Sequence, residues 1–252
     1  MHSELWFTAL LNKLLAGVVS PFLAAIGVAP HDPAHPIPNY VAMEVFVILL
    51  ILAGVFILRS QLSVENPGKF QHIMEVAVEF VRDLAHEIIG HDSRRYVPML
   101  GTLGLAVLIS NVLGLIPSMQ TPTGHIESTL GFAVAAFLFY NYQGFRHHGP
   151  LGYLKSFCGP TVSSNLIATL LMALLMFPVE VVSNVFRLLS LSVRLYANMF
   201  VGELLEHVFG SLVPIFVPAL VMGLHVFVSF IQAYIFILLP AVYLSMAVAE
   251  EH

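Results

Sequence analysis

Apolar residues occupy this chain in long uninterrupted stretches, with polar residues gathered at a few points between them. Residues 41–59 form the first such stretch, interrupted by Glu44 near one end and closed by Arg59. A helix rises ~1.5 Å per residue and the hydrocarbon core of a bilayer is ~30 Å thick, so a run of this length predicts a membrane span. Residues 97–116 predict a second span, ended by Pro117. A third covers 127–145, with Arg146-His147-His148-Gly149-Pro150 marking the exit. Residues 163–209 read as a long helical segment broken by Pro178, and 214–249 as a long terminal helix with Pro240 near its far end. As one helix, the apolar part from Ala219 to Val248 exceeds the thickness of the core, so it has to tilt or project.

Residues 67–90 follow a different pattern. Asn66-Pro67 offers a helix start and Gly90 a stop. Phe70, Ile73, Met74, Ala77, Val81, Leu84 and Ile88 share one helical face, while Glu75, Glu79, Arg82, Asp83 and Glu87 lie off it. This is the pattern of an amphipathic helix at a membrane surface or against protein. Residues 1–40 hold an apolar segment from Leu5 to Val28, interrupted by Asn12, Lys13 and Pro21, then a stretch from Ala29 to Asn39 with four prolines. The first piece suits an interfacial helix or a crossing; the second reads as an extended loop outside the cytoplasm.

Composition agrees with a chain dissolved in lipid: of 252 residues, 58% are hydrophobic and 10% charged, against about 25% charged in a soluble domain. The expected fold class is all-α and polytopic, with five to six membrane helices in a domain covering residues 41–252. The single Cys158 excludes an internal disulfide framework. The N-terminus carries no basic region and small-residue cleavage site of a signal peptide. The twelve histidines include no His-x3-His pair within a span, and no P-loop, dinucleotide fingerprint or Ser/His/Asp set occurs. No metal, cofactor, nucleic acid or bond chemistry is expected. Arg59, Lys69, Arg82, Arg94 and Arg95 fall in one predicted loop, Arg146 and Lys155 in another, and none in residues 118–126. The positive-inside rule then puts the two basic loops in the cytoplasm and the N-terminus and the 118–126 loop outside. If 163–209 spans twice and the last helix crosses again, the C-terminus is cytoplasmic.

Against this background Arg194 is an anomaly. It sits between Leu188 and Phe200 in an apolar stretch whose nearest acid is Glu203. A guanidinium cannot discharge by losing a proton, and holding it at bilayer depth costs from ~2.5 to more than ~10 kcal/mol. Glu180, Arg187 and Arg194 recur every seven residues, close to two helical turns, so a continuous helix puts them on one stripe, joined by Asn198. Glu203 is half a turn out of phase and addresses a different neighbour. His225, Ser229 and Gln232 form a second polar stripe in the terminal helix, and its economical place is against the arginine helix. Several roles stay open on spacing alone. Arg187 fits a structural pair with Glu180 or a functional charge, His225 a packing residue or a proton relay, and Gln232 helix–helix glue or a contact with the arginine.

The segment Ser190-Leu191-Ser192-Val193-Arg194-Leu195-Tyr196-Ala197-Asn198-Met199-Phe200-Val201-Gly202-Glu203-Leu204 closely resembles the signature of subunit a of the F-type ATP synthase. Asn111-Val112-Leu113-Gly114-Leu115-Ile116-Pro117, Pro67-Gly68-Lys69-Phe70-Gln71 and Tyr243-Leu244-Ser245-Met246-Ala247 are similar to other parts of that family. The likeness covers most of the chain from residue 41, and Glu127 departs from the small polar residue of many relatives. The resemblance implies a non-catalytic, proton-translocating stator subunit in the bacterial inner membrane, with a long tilted helical hairpin facing a ring of c subunits. The b-subunit peripheral stalk and the remaining ATP synthase subunits would be further partners. It implies that Arg194 faces the ring carboxylates, with Asn198 one turn away and Gln232 beside the arginine. Glu203 and His225 would line one aqueous half-channel; Glu180, with Arg187 near it, would serve the other. The competing class is a self-contained proton-coupled transporter or antiporter, which usually shows two similar halves; no internal repeat is visible here.

Overall fold

Backbone amides and carbonyls have no water to bond in hydrocarbon, so a lipid-dissolved chain satisfies them within helices or a closed barrel. This chain takes the helical solution. The computed structural model describes residues 5–25, 35–63, 67–90, 92–116, 119–157, 166–212 and 216–248. Among them are α1 (Trp6–Ala25), α2 (Asn39–Gln61), α3 (Lys69–Ile89), α4 (Val97–Leu113), α5 (Ile126–Ser156), α6 (Leu166–Leu212) and α7 (Phe216–Val248), with 3-10 turns at Ser93–Arg95 and Pro122–Gly124. No strand occurs among the described residues. The stretches Asn39–Gln61, Met172–Leu205 and Ala219–Val248 are long and apolar enough to cross a membrane, and α4 is a shorter apolar helix. The protein is an all-α polytopic membrane protein.

Two boundaries differ from the sequence expectation. Pro178, expected to break its segment, lies inside a continuous 47-residue α6. A proline removes one hydrogen bond and frees one carbonyl, whereas a full break would strip bonds from a whole turn, and in an apolar setting the smaller loss prevails. Pro240 is likewise accommodated within α7. The helix starting at Ile126 continues past 145 to Ser156, but it changes course at Gly149, whose φ of 73° is left-handed. Gly90, directly after α3, also has a positive φ, the usual way for glycine to end a helix.

Met1–Val76, Leu105–Thr129 and Leu195–Ala233 form one compact unit. Among its apolar contacts, Leu11, Ile37 and Ala42 pack together, as do Met43, Val47 and Leu113. Side-chain amides complete the backbone where helices are absent. Asn12, buried in α1, donates from Nδ2 to the Ile37 carbonyl (3.2 Å) and accepts from the Ile37 amide (3.0 Å). Gln71 treats Ser63, just beyond α2, the same way, at 3.0 and 3.1 Å. Asn12, one of the residues that interrupt the first apolar segment, is therefore a rivet between α1 and the chain entering α2.

Ala77–Gly104, Leu130–Arg194 and Tyr234–His252 form the second unit. Its core draws Val81 and Ala85 from α3, Tyr96 and Leu100 around the start of α4, Tyr140 and Tyr153 from α5, and Ile237, Ala241 and Leu244 from α7. The apolar stripe of α3 is only partly used. Val81 is buried and Leu84 and Ile88 pack on this core, whereas Phe70 and Ile73 remain exposed.

Replacing Asn12 with Leu should strand both the amide and the carbonyl of Ile37. Each buried unpaired group costs about 1–3 kcal/mol. The expected result is lower heat stability and faster proteolytic clipping near the N-terminus of the membrane-embedded protein, measured against wild type; unchanged clipping would show that the rivet carries no load.

Candidate functional site

Apart from Arg194, the polar residues singled out by spacing fall into one group within each unit. In the first unit, the carboxyl-terminal part of α6 meets the first half of α7. The α7 stripe predicted to face the arginine helix is buried: His225 is 7% exposed, Ser229 and Gln232 0%. Asn198 on α6 donates from Nδ2 to Gln232 Oε1 at 2.9 Å. Gln232 Nε2 is buried with no hydrogen-bond partner among the described residues. Ser229 turns back on its own helix, its hydroxyl donating to the His225 carbonyl at 2.8 Å.

Small residues let the remaining groups approach backbone. The His225 imidazole lies directly against Gly202, where any Cβ would collide with the ring. The next residue, half-buried Glu203, points its carboxylate onto Gly124 of the Pro122–Gly124 turn. That turn is tied down by Thr123, whose hydroxyl donates to Asn111 Oδ1 of α4 at 2.6 Å. Glu203 thus addresses a different neighbour from Asn198, as the phase of the helix requires.

In the second unit, Arg187 and Glu180 form the ion pair that their spacing allows, Nη2 to Oε1 at 3.3 Å. Their side chains are 22% and 41% exposed, so water screens the pair and its own contribution to stability is modest. The Arg187 guanidinium also sits 5.4 Å from the centre of the Tyr243 ring. Between the two charged residues in sequence, Asn184 accepts a hydrogen bond from the Tyr140 hydroxyl and donates to Asn141 Oδ1 at 3.1 Å. Tyr153 donates to the same oxygen at 2.9 Å. Tyr140, Tyr153, Glu180, Asn184, Arg187 and Tyr243 line a cavity of about 120 Å³.

Arg194 ends the second unit's share of α6 and is half-buried. No hydrogen bond or ion pair engages its guanidinium among the described residues. The helix around it leaves large apolar side chains exposed, including Val193, Phe200 and Val201. No group of three or more His, Cys, Asp or Glu with the arrangement of a metal site occurs among the described residues.

Sequence reasoning missed Tyr140, Asn141, Tyr153, Asn184 and Thr123, and named Asn111 only within a segment resembling the family. Asn184 was findable, since it lies four residues after Glu180 and three before Arg187, on the same helical face. The tyrosines come from another helix and left no periodic trace.

These features define a polytopic helical membrane protein with a buried polar stripe on α7 and polar residues along α6, among them a charge that no described residue pairs. The family model described as ATP synthase A chain matches residues 41–245. ATP synthase subunit a of Koribacter versatilis is 44% identical over the whole of both chains. Subunit a of Solibacter usitatus is 42% identical over 96% of this chain and 99% of its own, and that of Aquifex aeolicus 37% identical over 80% and 94%. The chain belongs to the ATP synthase subunit a family, and membership implies assembly with other ATP synthase subunits.

The close approach at Gly202 yields a direct test. Gly202→Val should cost about 1–3 kcal/mol by overpacking, read as a lower denaturation temperature of the detergent-purified complex. Adding His225→Ala should recover most of that loss, because the added methyls then find space; two independent losses would contradict the contact.

Proposed function

We propose that this chain is the proton-translocating subunit a of a bacterial F-type ATP synthase, that it carries out no bond chemistry itself, and that it holds two offset half-channels. Arg194 faces the carboxylates of the c-ring, and the peripheral stalk braces the subunit as a stator in the inner membrane. Arg194 carries the reading: it is a permanent charge on an apolar helix, bound to no acid among the described residues. Such a charge is tolerated at bilayer depth where function uses it. In this reading the acid comes from the rotor, one carboxylate after another.

A ring carboxylate has to be neutral to pass through lipid and ionised to exchange its proton. Beside Arg194 the ionised form is favoured, so the proton leaves into one half-channel. Past Arg194 the carboxylate takes up its next proton from the other. Arginine suits the post better than lysine, whose ammonium discharges readily on burial. Each charge moved across the membrane yields ~2.3 kcal/mol per 100 mV, so several transfers combine for each ATP.

The two clusters support two separate aqueous paths. Glu203 and His225, with Asn198 and Gln232 nearby, serve the path opening outside, on the side of the 118–126 loop. Glu180 and Arg187, beside the 120 Å³ cavity, serve the cytoplasmic path. The exposed apolar residues of α6 around Arg194 suit a surface that slides against other apolar helices.

Arg194→Ala should abolish ATP-driven proton pumping in inverted membrane vesicles while the complex still assembles and co-purifies with its ring. Normal coupled pumping by that variant would sink the reading. Glu203→Gln and His225→Ala should each slow pumping, and the double variant should be little worse than the poorer single one. Fully multiplicative losses would show that the two residues do not share a path.

A further inference from the structure

We infer that the turn from Thr121 to His125 positions the Glu203 carboxylate, with Gly124 kept free of a side chain to seat it and the Thr123–Asn111 hydrogen bond fixing the seat. The inference rests on the half-channel role proposed above for Glu203. A Cβ built on Gly124 would lie 2.8 Å from Glu203 Oε1 and 3.2 Å from both Cδ and Oε2. All three carboxylate atoms therefore stack on one backbone position. Gly124 has no left-handed φ, so what glycine supplies here is space rather than an unusual conformation.

The turn is held far more firmly than an exposed loop. Thr121 and Thr123 are 2% and 0% exposed. The Thr123 hydroxyl donates to Asn111 Oδ1 at 2.6 Å, and Asn111 is itself 1% exposed. Thr121 presses on Gly114 just beyond α4, where a Cβ would collide with its hydroxyl oxygen. His125 stacks on Tyr40 of α2 with ring centres 4.7 Å apart, and its Nε2 lies 2.9 Å from Gln120 Nε2. Backbone bonds from Gly124 to Thr121 and from His125 to Pro122 close the turn, both at 3.2 Å. Contacts to α2 and α4 thus converge on a turn whose Gly124 receives a carboxylate from α6. That rigidity is useful to a proton-accepting group, because small misplacements of a reacting atom cost up to about 100-fold in rate. Thr123 and Asn111 are positioning residues, since they act through the turn and not on the proton.

The test uses the complete enzyme in inverted membrane vesicles, with ATP-driven pumping expressed per assembled complex. Gly124→Ala should lower pumping by about tenfold or more, and Thr123→Val should lower it too. Thr123→Ser keeps the donor and should restore pumping to near wild type. In a Glu203→Gln background Gly124→Ala should add little further loss, because the group it displaces no longer carries the proton. Wild-type pumping by Gly124→Ala, or losses that multiply with Glu203→Gln, would overturn the inference. If Gly124→Ala does not assemble, the Thr123 pair decides, and Thr123→Ser no better than Thr123→Val counts against it. Arg194→Ala run in parallel separates the two levels. Normal pumping there overturns the half-channel reading, whereas its loss alongside full pumping by Gly124→Ala overturns only the role of the turn.

Discussion

The cost of keeping polar groups out of water governs this protein more than any apolar contact does. Apolar side chains gain little from one another when the alternative neighbour is a lipid tail. Polar groups have no such freedom, and their bonds fix the local geometry. Asn12 closes on Ile37, Gln71 on Ser63, Thr123 on Asn111 and Asn198 on Gln232. Each joins helix to loop or helix to helix at one register. Arg194 is the exception on which the proposed function turns, a charge that the described residues leave without a fixed partner.

The same constraint explains what could be read from the chain beforehand. Helix existence and type were legible because long apolar runs in lipid have a single economical conformation, and α2, α4 and α7 follow the runs closely. Pro178 misled, because the rule that proline breaks helices is learned in water, where freed carbonyls are hydrated. The polar stripes were legible in turn: buried His225, Ser229 and Gln232 recur at helical spacing, and the Glu180–Arg187 pair follows from two turns of one helix. Tertiary partners were not. Tyr140 reaches Asn184 across 44 residues and Asn12 reaches Ile37 across 25, and neither separation leaves a period to detect. The Gly124–Glu203 contact was hidden for a different reason, since a glycine chosen for space looks like any other turn glycine.

The family assignment carries the coarse function, and the geometry gives the detail its chemical footing. Membership in the ATP synthase subunit a family says that the chain works within a larger assembly. The two clusters differ in their exposure. On α7 the polar groups of the first cluster, His225, Ser229 and Gln232, are almost wholly buried, while Asn198 and Glu203 on α6 are not. In the second, Glu180 and Arg187 border a cavity and are partly exposed.

The sharing of the Asn141 amide among three partners has a consequence for how such a sequence can drift. Its oxygen accepts from both Tyr153 and Asn184, while its nitrogen donates to the Phe137 carbonyl of its own helix at 2.8 Å. Asn184 in turn takes the Tyr140 hydroxyl. Replacing Asn141 would therefore break three of these bonds at once, and replacing Asn184 would break two. Change at these four positions is therefore expected to arrive as joint replacements, inherited together as a block, while the exposed leucines and valines of α6 exchange more freely.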